Sequence, residues 1–182
     1  NITYREGIDI SSDRLMSLLS EGKTNVTPMP PAPEDVAATF EPVARTGDVA
    51  LCLHVANGLL PVAPPIREVA QGLFARARIE VIDSLAISAG QRRLVLAAAR
   101  LAAQGADIGD ITQAIRAMIS HVYTLFYTED FEKLEKTVDI QPAQAILATI
   151  LGVKPLVMLE EGRLLPLEKV TPRTTPVDKL VD

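Results

Sequence analysis

Apolar residues fall into short continuous runs separated by stretches with helical spacing. Residues 48–55 are apolar at nearly every position and rich in aliphatic side chains, which predicts a strand buried on both faces. A second strand is predicted at residues 79–82. Helical spacing predicts helices at about residues 12–21, 35–44, 65–74 and 89–103. This alternation predicts an α/β fold with a parallel sheet flanked by helices.

The pattern changes beyond Gly105. Apolar residues at helical spacing begin near residue 111, after the start signals Asp107 and Asp110. Further elements are predicted as a strand at 121–127, short helices at 128–134, 142–151 and from Pro176, and two strands at 155–159 and 163–170. The last two strands flank Gly162, which predicts a β-hairpin with this glycine in a left-handed conformation. We therefore predict two parts. Residues 1–107 form a parallel α/β domain, and residues 108–182 are part of a second α/β domain with antiparallel strands.

Composition and charge narrow the class of protein. The chain has 23 acidic and 18 basic residues and a net charge of −5. Because no run of basic residues occurs, nucleic acid and an anionic membrane surface are not expected partners. No apolar run approaches the ~18 residues of a transmembrane helix, so stable membrane insertion is not expected. The single cysteine, Cys52, is compatible with a reducing compartment, and we expect a cytoplasmic protein.

Candidate ligand-binding residues follow the two predicted strands, because ligands of open α/β sheets bind beyond the carboxyl ends of strands. The first strand leads into Ala56, Asn57 and Gly58, and Gly58 allows close approach of a backbone to a ligand. The second leads into Ser84 and then Ser88, which stands where a helix begins and where free N–H groups attract an anion. From spacing alone, a simple turn at Gly58 and a helix cap at Ser88 are the favoured interpretations.

Enzyme signatures are missing from the sequence. It has no glycine-rich phosphate loop and no nucleophile elbow. The two histidines, His54 and His121, together with one cysteine are too few for a metal site of several such ligands. A structural histidine is the favoured interpretation of His54, although a general base at a strand end remains an alternative. We therefore expect a protein without catalytic residues, metal or cofactor.

Several motifs, in order, resemble the DegV family. Residues 4–10 (YREGIDI) resemble its Y-R-D-G-V-D-I, and residues 31–35 resemble the second half of its proline-rich T-S-Q-P-S-P-x-D loop. Residues 54–59 (HVANGL) resemble H-I-S-S-G-L, and residues 81–90 resemble V-x-D-S-x-x-x-S-x-G. Residues 147–157 (LATILGVKPLV) resemble L-L-G-x-L-L-x-I-K-P-I-L. The family's opening strand and closing segment have no counterpart, so we expect a chain that is incomplete at both ends.

The resemblance implies a two-domain α/β carrier. Such a protein binds one long-chain fatty acid in an apolar tunnel between its domains. Some members present the lipid to a separate fatty-acid kinase, which carries out the chemistry. The positions that match the family's carboxylate-binding loops imply a ligand site formed by Thr27, Pro28, Ala56, Asn57, Gly58, Ser84 and Ser88. Of these, Thr27 and Asn57 would hold the carboxylate.

Two alternatives stay open at this stage. The two serines of the family's turn are replaced here by Ala56 and Asn57. This loss of hydroxyl groups favours the first alternative, a divergent interaction module that no longer binds fatty acids. The other alternative is an enzyme that uses His54 for phosphotransfer or hydrolysis.

Overall fold

The computed structural model describes residues 2–22, 26–127 and 154–170. The helices and strands follow one another along the chain in the order that the apolar pattern predicts. In chain order they are α1 (Ser12–Ser20), α2 (Pro33–Thr46), β1 (Val49–His54), α3 (Ala63–Gly72), β2 (Arg78–Asp83), α4 (Ser88–Ala103), α5 (Ile108–Ile119), β3 (Thr124–Tyr127), β4 (Lys154–Glu160) and β5 (Arg163–Val170). Among these residues, no helix has the length and apolarity to cross a membrane.

Strands β1 and β2 form the parallel sheet that the sequence predicts. Their register places Leu53 beside Ile82 and His54 beside Asp83. Because side chains alternate across a sheet, successive residues of β1 enter two different cores. Both strands therefore carry apolar residues on both faces, as in other α/β proteins with helices on each side.

One core lies between the sheet and helices α4 and α5. Leu94 of α4 and Ile115 of α5 have no exposed surface, and Leu51 and Leu53 of β1 pack against this group. The other core lies on the opposite face, where Phe40 of α2 and residues of α3 pack against Cys52 and Val81. Burial raises the pKa of the Cys52 thiol, because an apolar environment disfavours the thiolate.

The second sheet is antiparallel, with strand order β3-β4-β5. A two-residue turn, Glu161-Gly162, joins β4 to β5, and both residues have positive φ (48° and 77°). Such turns follow the right-handed twist of the paired strands, and glycine adopts this conformation without strain. The predicted hairpin and its left-handed glycine are therefore confirmed.

Helix α5 packs on the parallel sheet although it follows the predicted boundary at residue 107. Asp107 caps it, since its carboxylate accepts the backbone N–H groups of Gly109 and Asp110 (2.6 and 3.2 Å). Ile111 and Ile115 of α5 then enter the core that α4 forms with β1. The division at residue 107 stays a prediction, and α5 shares the core of the first part.

Two local predictions differ from the structure. Strand β3 begins at Thr124 rather than residue 121, because the N–H groups of His121 and Val122 still bond to the last turn of α5. Helix α4 begins at Ser88, and the capping position is taken by Ile87, which makes no side-chain cap. The predicted helices at 128–134, at 142–151 and from Pro176 lie outside the described residues.

Helix α1 contributes no buried side chain. Ser11 caps it, its hydroxyl accepting the N–H of Arg14 (3.2 Å). Leu15 and Leu18 are partly buried, whereas Leu19 is 40% and Met16 63% exposed. Its helical shape therefore depends on local hydrogen bonds rather than on packing.

Candidate functional site

The carboxyl ends of β1 and β2 meet, as the sequence predicts for adjacent parallel strands. The backbone N–H of Ala56 donates to the carbonyl of Ala86 (3.0 Å), and that of Ser84 donates to the carbonyl of His54 (3.0 Å). These bonds extend the pairing of the two strands into the turns that follow them. The turns therefore form one joined surface, which we call the strand-end site (residues 54–59 and 83–88).

The carboxylate of Asp83 accepts hydrogen bonds from both turns. The backbone N–H of Asn57 lies 3.2 and 3.3 Å from its two oxygens, and the N–H of Leu85 lies 3.0 Å from Oδ1. Leu85 has a φ of 50°, an uncommon conformation for a leucine, and its bond to Asp83 helps to maintain it. Bonds to a charged acceptor are stronger than neutral ones, so Asp83 fixes the geometry of the site.

The side chain of Asn57 is oriented by its oxygen. Its Oδ1 accepts the backbone N–H of Ala63 (3.1 Å), the first residue of α3. This bond satisfies an N–H that has no partner within the helix. Because an amide carries two N–H donors in addition to its oxygen, the Nδ2 group of Asn57 keeps the capacity to donate to a ligand.

The hairpin of the second sheet packs directly on the strand-end site. A Cβ added at Gly58 would overlap the carbonyl oxygen of Gly162, and a Cβ added at Gly162 would lie 3.1 Å from a methyl group of Leu85. Ala56 is fully buried in an apolar cluster with Val157, Leu159 and Leu164 of the hairpin strands. The two sheets are therefore joined at this site.

The serines of the predicted site have different environments. Ser84 is fully buried, and its hydroxyl donates to the carbonyl of Ala86 and accepts the N–H of the same residue (3.2 and 3.3 Å). Its hydroxyl is thus engaged in shaping the turn. Ser88 is exposed at the start of α4 with a φ of 54°. Ser88 does not act as the cap that spacing alone favours.

Thr27 and Pro28 lie in the extended stretch before α2, and both are exposed. The hydrogen bonds found within residues 2–22, 26–127 and 154–170 include none from the Thr27 hydroxyl. The structure therefore brings Ala56, Asn57, Gly58, Ser84 and Ser88 together around the strand ends, and it shows no contact between Thr27 and Asn57.

Two grooves border the parallel sheet, one along β1 and one along β2. One has a volume of about 340 Å³ and is next to the strand-end site, lined by Asp83 and Leu85, by apolar residues of β2 and α5, and by Arg67 of α3 and Arg116 of α5. The other has a volume of about 430 Å³ and lies along Leu51 and Leu53 beneath α4. Both volumes fall in the lower part of the range of about 300–1,000 Å³ that is typical of small-molecule sites.

His54 lies opposite Asp83 at the end of β1. Its Nε2 is buried and, among the described residues, has no hydrogen-bond partner. Burial lowers the pKa of His54, the positive charge of Arg67 lowers it further, and Asp83 partly opposes both effects. The imidazole is therefore neutral at physiological pH, which favours a structural role.

Protonation of His54 is expected to destabilise the fold at acidic pH. Because the folded-state pKa is below the unfolded value of about 6.5, the unfolded chain binds more protons as pH falls below that value. The free energy of unfolding therefore decreases as the pH falls from about 6.5 to the folded-state pKa. Above about pH 6.5, ionisation of His54 does not change the free energy of unfolding. In urea unfolding as a function of pH, His54→Gln should show a smaller decrease than the wild type. Equal profiles for the wild type and His54→Gln would contradict the assignment.

Sequence reasoning missed the roles of Asp83 and of the hairpin turn at this site. The position of Asp83 at the end of a predicted strand was the available signal, but its hydrogen bonds to two different turns depend on the register of β1 and β2. Within the residues that the structure describes, no group of three His, Cys, Asp or Glu side chains is arranged to bind a metal ion.

Comparison with known proteins agrees with this architecture. A DegV domain-containing protein of Caldanaerobacter subterraneus is 27% identical over 180 residues, which are 99% of this chain and 64% of that protein. A solved DegV family structure from Thermus thermophilus, described as fatty acid binding, is 27% identical with a TM-score of 0.76, over 91% of this chain and 59% of that one. A stearic acid-binding protein from Eubacterium ventriosum has the same fold (TM-score 0.84, 20% identical, 93% of this chain and 59% of that one).

The chain therefore spans about three-fifths of the length of these relatives. The family model described as "Uncharacterised protein, DegV family" matches residues 1–182. The shared α/β architecture, the motifs along the sequence and this match lead to one conclusion: the chain belongs to the DegV family.

Proposed function

We propose that the protein is a lipid carrier that binds one long-chain fatty acid, with the carboxylate at the strand-end site. The observation that carries this proposal is the Asn57 amide at the carboxyl end of β1, whose oxygen is held by Ala63 and whose N–H groups keep the capacity to donate. Gly58 beside it keeps exposed surface at the site, and the space that its missing Cβ leaves is taken by the hairpin turn at Gly162. Ala56, Ser84 and Ser88 shape the surrounding turns, and Thr27 and Pro28 complete the site in the ligand-bound protein.

Solved relatives support the choice of ligand. The structures from Thermus thermophilus and Eubacterium ventriosum are described as binding fatty acid and stearic acid, and a DegV family protein from Eubacterium eligens was solved loaded with heptadecanoic acid. Stearic acid and heptadecanoic acid share a long saturated chain and a carboxylate. The same chemistry suits the apolar surroundings and the uncharged donors of the strand-end site.

The energetics favour an acyl chain even where few polar contacts are made. Burying a methylene group contributes about 0.8 kcal/mol, so a long chain supplies most of the affinity. A hydrogen bond to a charged group contributes about 1.5–3 kcal/mol, so the donors at the site mainly select a carboxylate over other headgroups. The loss of a hydroxyl group at Ala56 therefore reduces the selectivity for a carboxylate more than it reduces the affinity for the lipid.

In this proposal the protein is a carrier rather than an enzyme, and it acts in the cytoplasm. The Nε2 of His54 is buried and has no hydrogen-bond partner among the described residues, so no neighbouring group orients the ring as a general base. Chemistry on the bound lipid then belongs to a separate protein, and a fatty-acid kinase is the partner that fits a carboxylate presented at the site.

Lipid extraction tests the proposal directly. Purified protein extracted with organic solvent should release a long-chain fatty acid that mass spectrometry detects at about one per protein, and delipidated protein should bind added oleate in calorimetry. A well-folded protein that carries no lipid and does not bind oleate would overturn the proposal, and would favour an interaction module that has lost the ligand.

Asn57→Asp tests the headgroup position. The substitution keeps an oxygen that accepts the Ala63 N–H, but it replaces the amide donors by a carboxylate that repels the ligand's own. We expect oleate affinity to fall at least about tenfold, while the affinity for oleyl alcohol, which has no charge, changes little. Equal losses for both lipids would show that Asn57 acts only on the fold, and no loss for oleate would place the headgroup elsewhere.

A further inference from the structure

Asp83 is the only described residue whose side chain accepts backbone hydrogen bonds from both turns of the strand-end site. It holds the N–H of Asn57 through both oxygens (3.2 and 3.3 Å) and the N–H of Leu85 through Oδ1 (3.0 Å). The two residues whose N–H groups Asp83 accepts have different roles in the site. Asn57 bears the proposed headgroup donor, whereas Leu85 contacts the hairpin turn at Gly162.

Asp83 does not itself suit contact with a fatty acid. Two carboxylates at close range repel each other. Its oxygens are instead directed at the protein's own N–H groups. Any effect of Asp83 on binding a carboxylate must therefore act through the residues that it holds, and these are Asn57 and Leu85.

The geometry of Asn57 depends on two bonds that have different origins. Its side-chain oxygen is fixed by the N–H of Ala63, and its backbone N–H is fixed by Asp83. With both bonds made, the direction of the Nδ2 group is determined. Without Asp83 the backbone N–H of Asn57 loses its acceptor, only the bond to Ala63 orients the amide, and its direction toward the ligand is less firmly held. Ordering it again on binding reduces the affinity.

The bond to Leu85 extends the influence of Asp83 to the second sheet. Leu85 has positive φ, a conformation that costs a non-glycine residue free energy unless neighbouring contacts maintain it. The N–H bond to Asp83 is one such contact. It keeps the Leu85 side chain against the Glu161-Gly162 turn, so the same carboxylate holds the headgroup donor and the surface on which the hairpin rests.

We infer that Asp83 is a positioning residue of the fatty-acid site, which orients the Asn57 donor and couples it to the docked hairpin without contacting the ligand. This inference rests on the proposed fatty-acid binding. It assigns Asp83 a role in affinity that goes beyond the folding of the turn.

A double-mutant cycle separates this role from a general effect on folding. Oleate affinity is measured by calorimetry for Asp83→Ala and Asp83→Asn, each in the wild-type and the Asn57→Ala background. Asp83→Ala should lower affinity about tenfold in the wild type and less than about twofold when Asn57 is already removed, because coupled residues are not additive. Asp83→Asn, which keeps one accepting oxygen, should give an intermediate loss and provides the test if Asp83→Ala does not fold.

A second readout does not depend on the ligand. Hydrogen exchange of the Asn57 and Leu85 amides, followed by NMR, should accelerate about tenfold or more in Asp83→Ala, because both amides lose their acceptor. The control is Asp48→Ala, which removes an exposed carboxylate before β1, at the other end of the sheet, where it bonds to Thr46. This variant should change neither oleate affinity nor the two exchange rates.

The outcomes are distinguishable. Wild-type protein that does not bind oleate overturns the proposed function and this inference together. Wild-type protein that binds oleate, with Asp83 variants of equal affinity or with losses that are the same in both backgrounds, overturns the inference alone. Unchanged exchange at Asn57 and Leu85 in Asp83→Ala also overturns it.

Discussion

Replacing Leu94 by alanine is expected to lower the free energy of unfolding by about 2–5 kcal/mol. Leu94 has no exposed surface and lies at the centre of the core that α4 and α5 form with the parallel sheet. The substitution removes buried methyl groups and leaves a cavity, since the helices on this face are held by several other contacts and do not close over it. Urea unfolding followed by circular dichroism gives the measurement.

Leu96→Ala is the matched control for this prediction. It makes the same chemical change two residues further along α4, where the leucine is 43% exposed. Leucine and alanine both favour helices, so we expect a change within about 0.5 kcal/mol, as at other surface positions. Equal losses at the two positions would mean that α4 does not pack on the sheet through the face that contains Leu94.

Replacing Gly58 by alanine is expected to lower the free energy of unfolding by about 1–3 kcal/mol, the usual cost of overpacking. The added methyl group would overlap the carbonyl oxygen of Gly162, and a backbone oxygen cannot rotate away as a flexible side chain does. The hairpin must therefore move off the strand-end site. Because this contact adjoins Asn57, we also expect weaker oleate binding, measured by calorimetry beside the unfolding experiment.

Gly72→Ala is the control for Gly58→Ala. Gly72 is the last residue of α3, and a Cβ added there meets no atom within 4 Å. Alanine at a helical position stabilises by about 0.5–1 kcal/mol relative to glycine, so this variant should be as stable as the wild type or more so. A Gly58→Ala protein with unchanged stability would contradict the close contact between the strand-end site and the hairpin.

Much of the fold could be predicted because its signals are local. The apolar run of residues 48–55 and the helix that begins after Asp107 each depend on residues close in sequence. The same holds for the turn at Gly162, where a left-handed conformation follows from the residue type. Such signals did not give the start of β3. This strand begins at Thr124 because the N–H groups of His121 and Val122 still bond to the last turn of α5. The amino-acid types of these residues do not reveal those bonds.

The candidate site could be predicted only in part. Its place at the strand ends, with Asn57 and Gly58, follows from a general property of α/β sheets, and the resemblance supplied the role of Asn57 in holding a carboxylate. The contact of Gly58 with Gly162 could not be predicted, because it depends on how two separate sheets pack. The position of Asp83 was visible in the sequence, but the two N–H groups that it accepts were not, because they come from different turns.

Helix α1 differs from the other helices in that the core does not depend on it. Since none of its side chains is buried, exchanging its outward residues costs the fold little, and selection for stability constrains them weakly. We therefore expect the amino-acid identities along this helix to differ more among homologues than those of the buried face of α4.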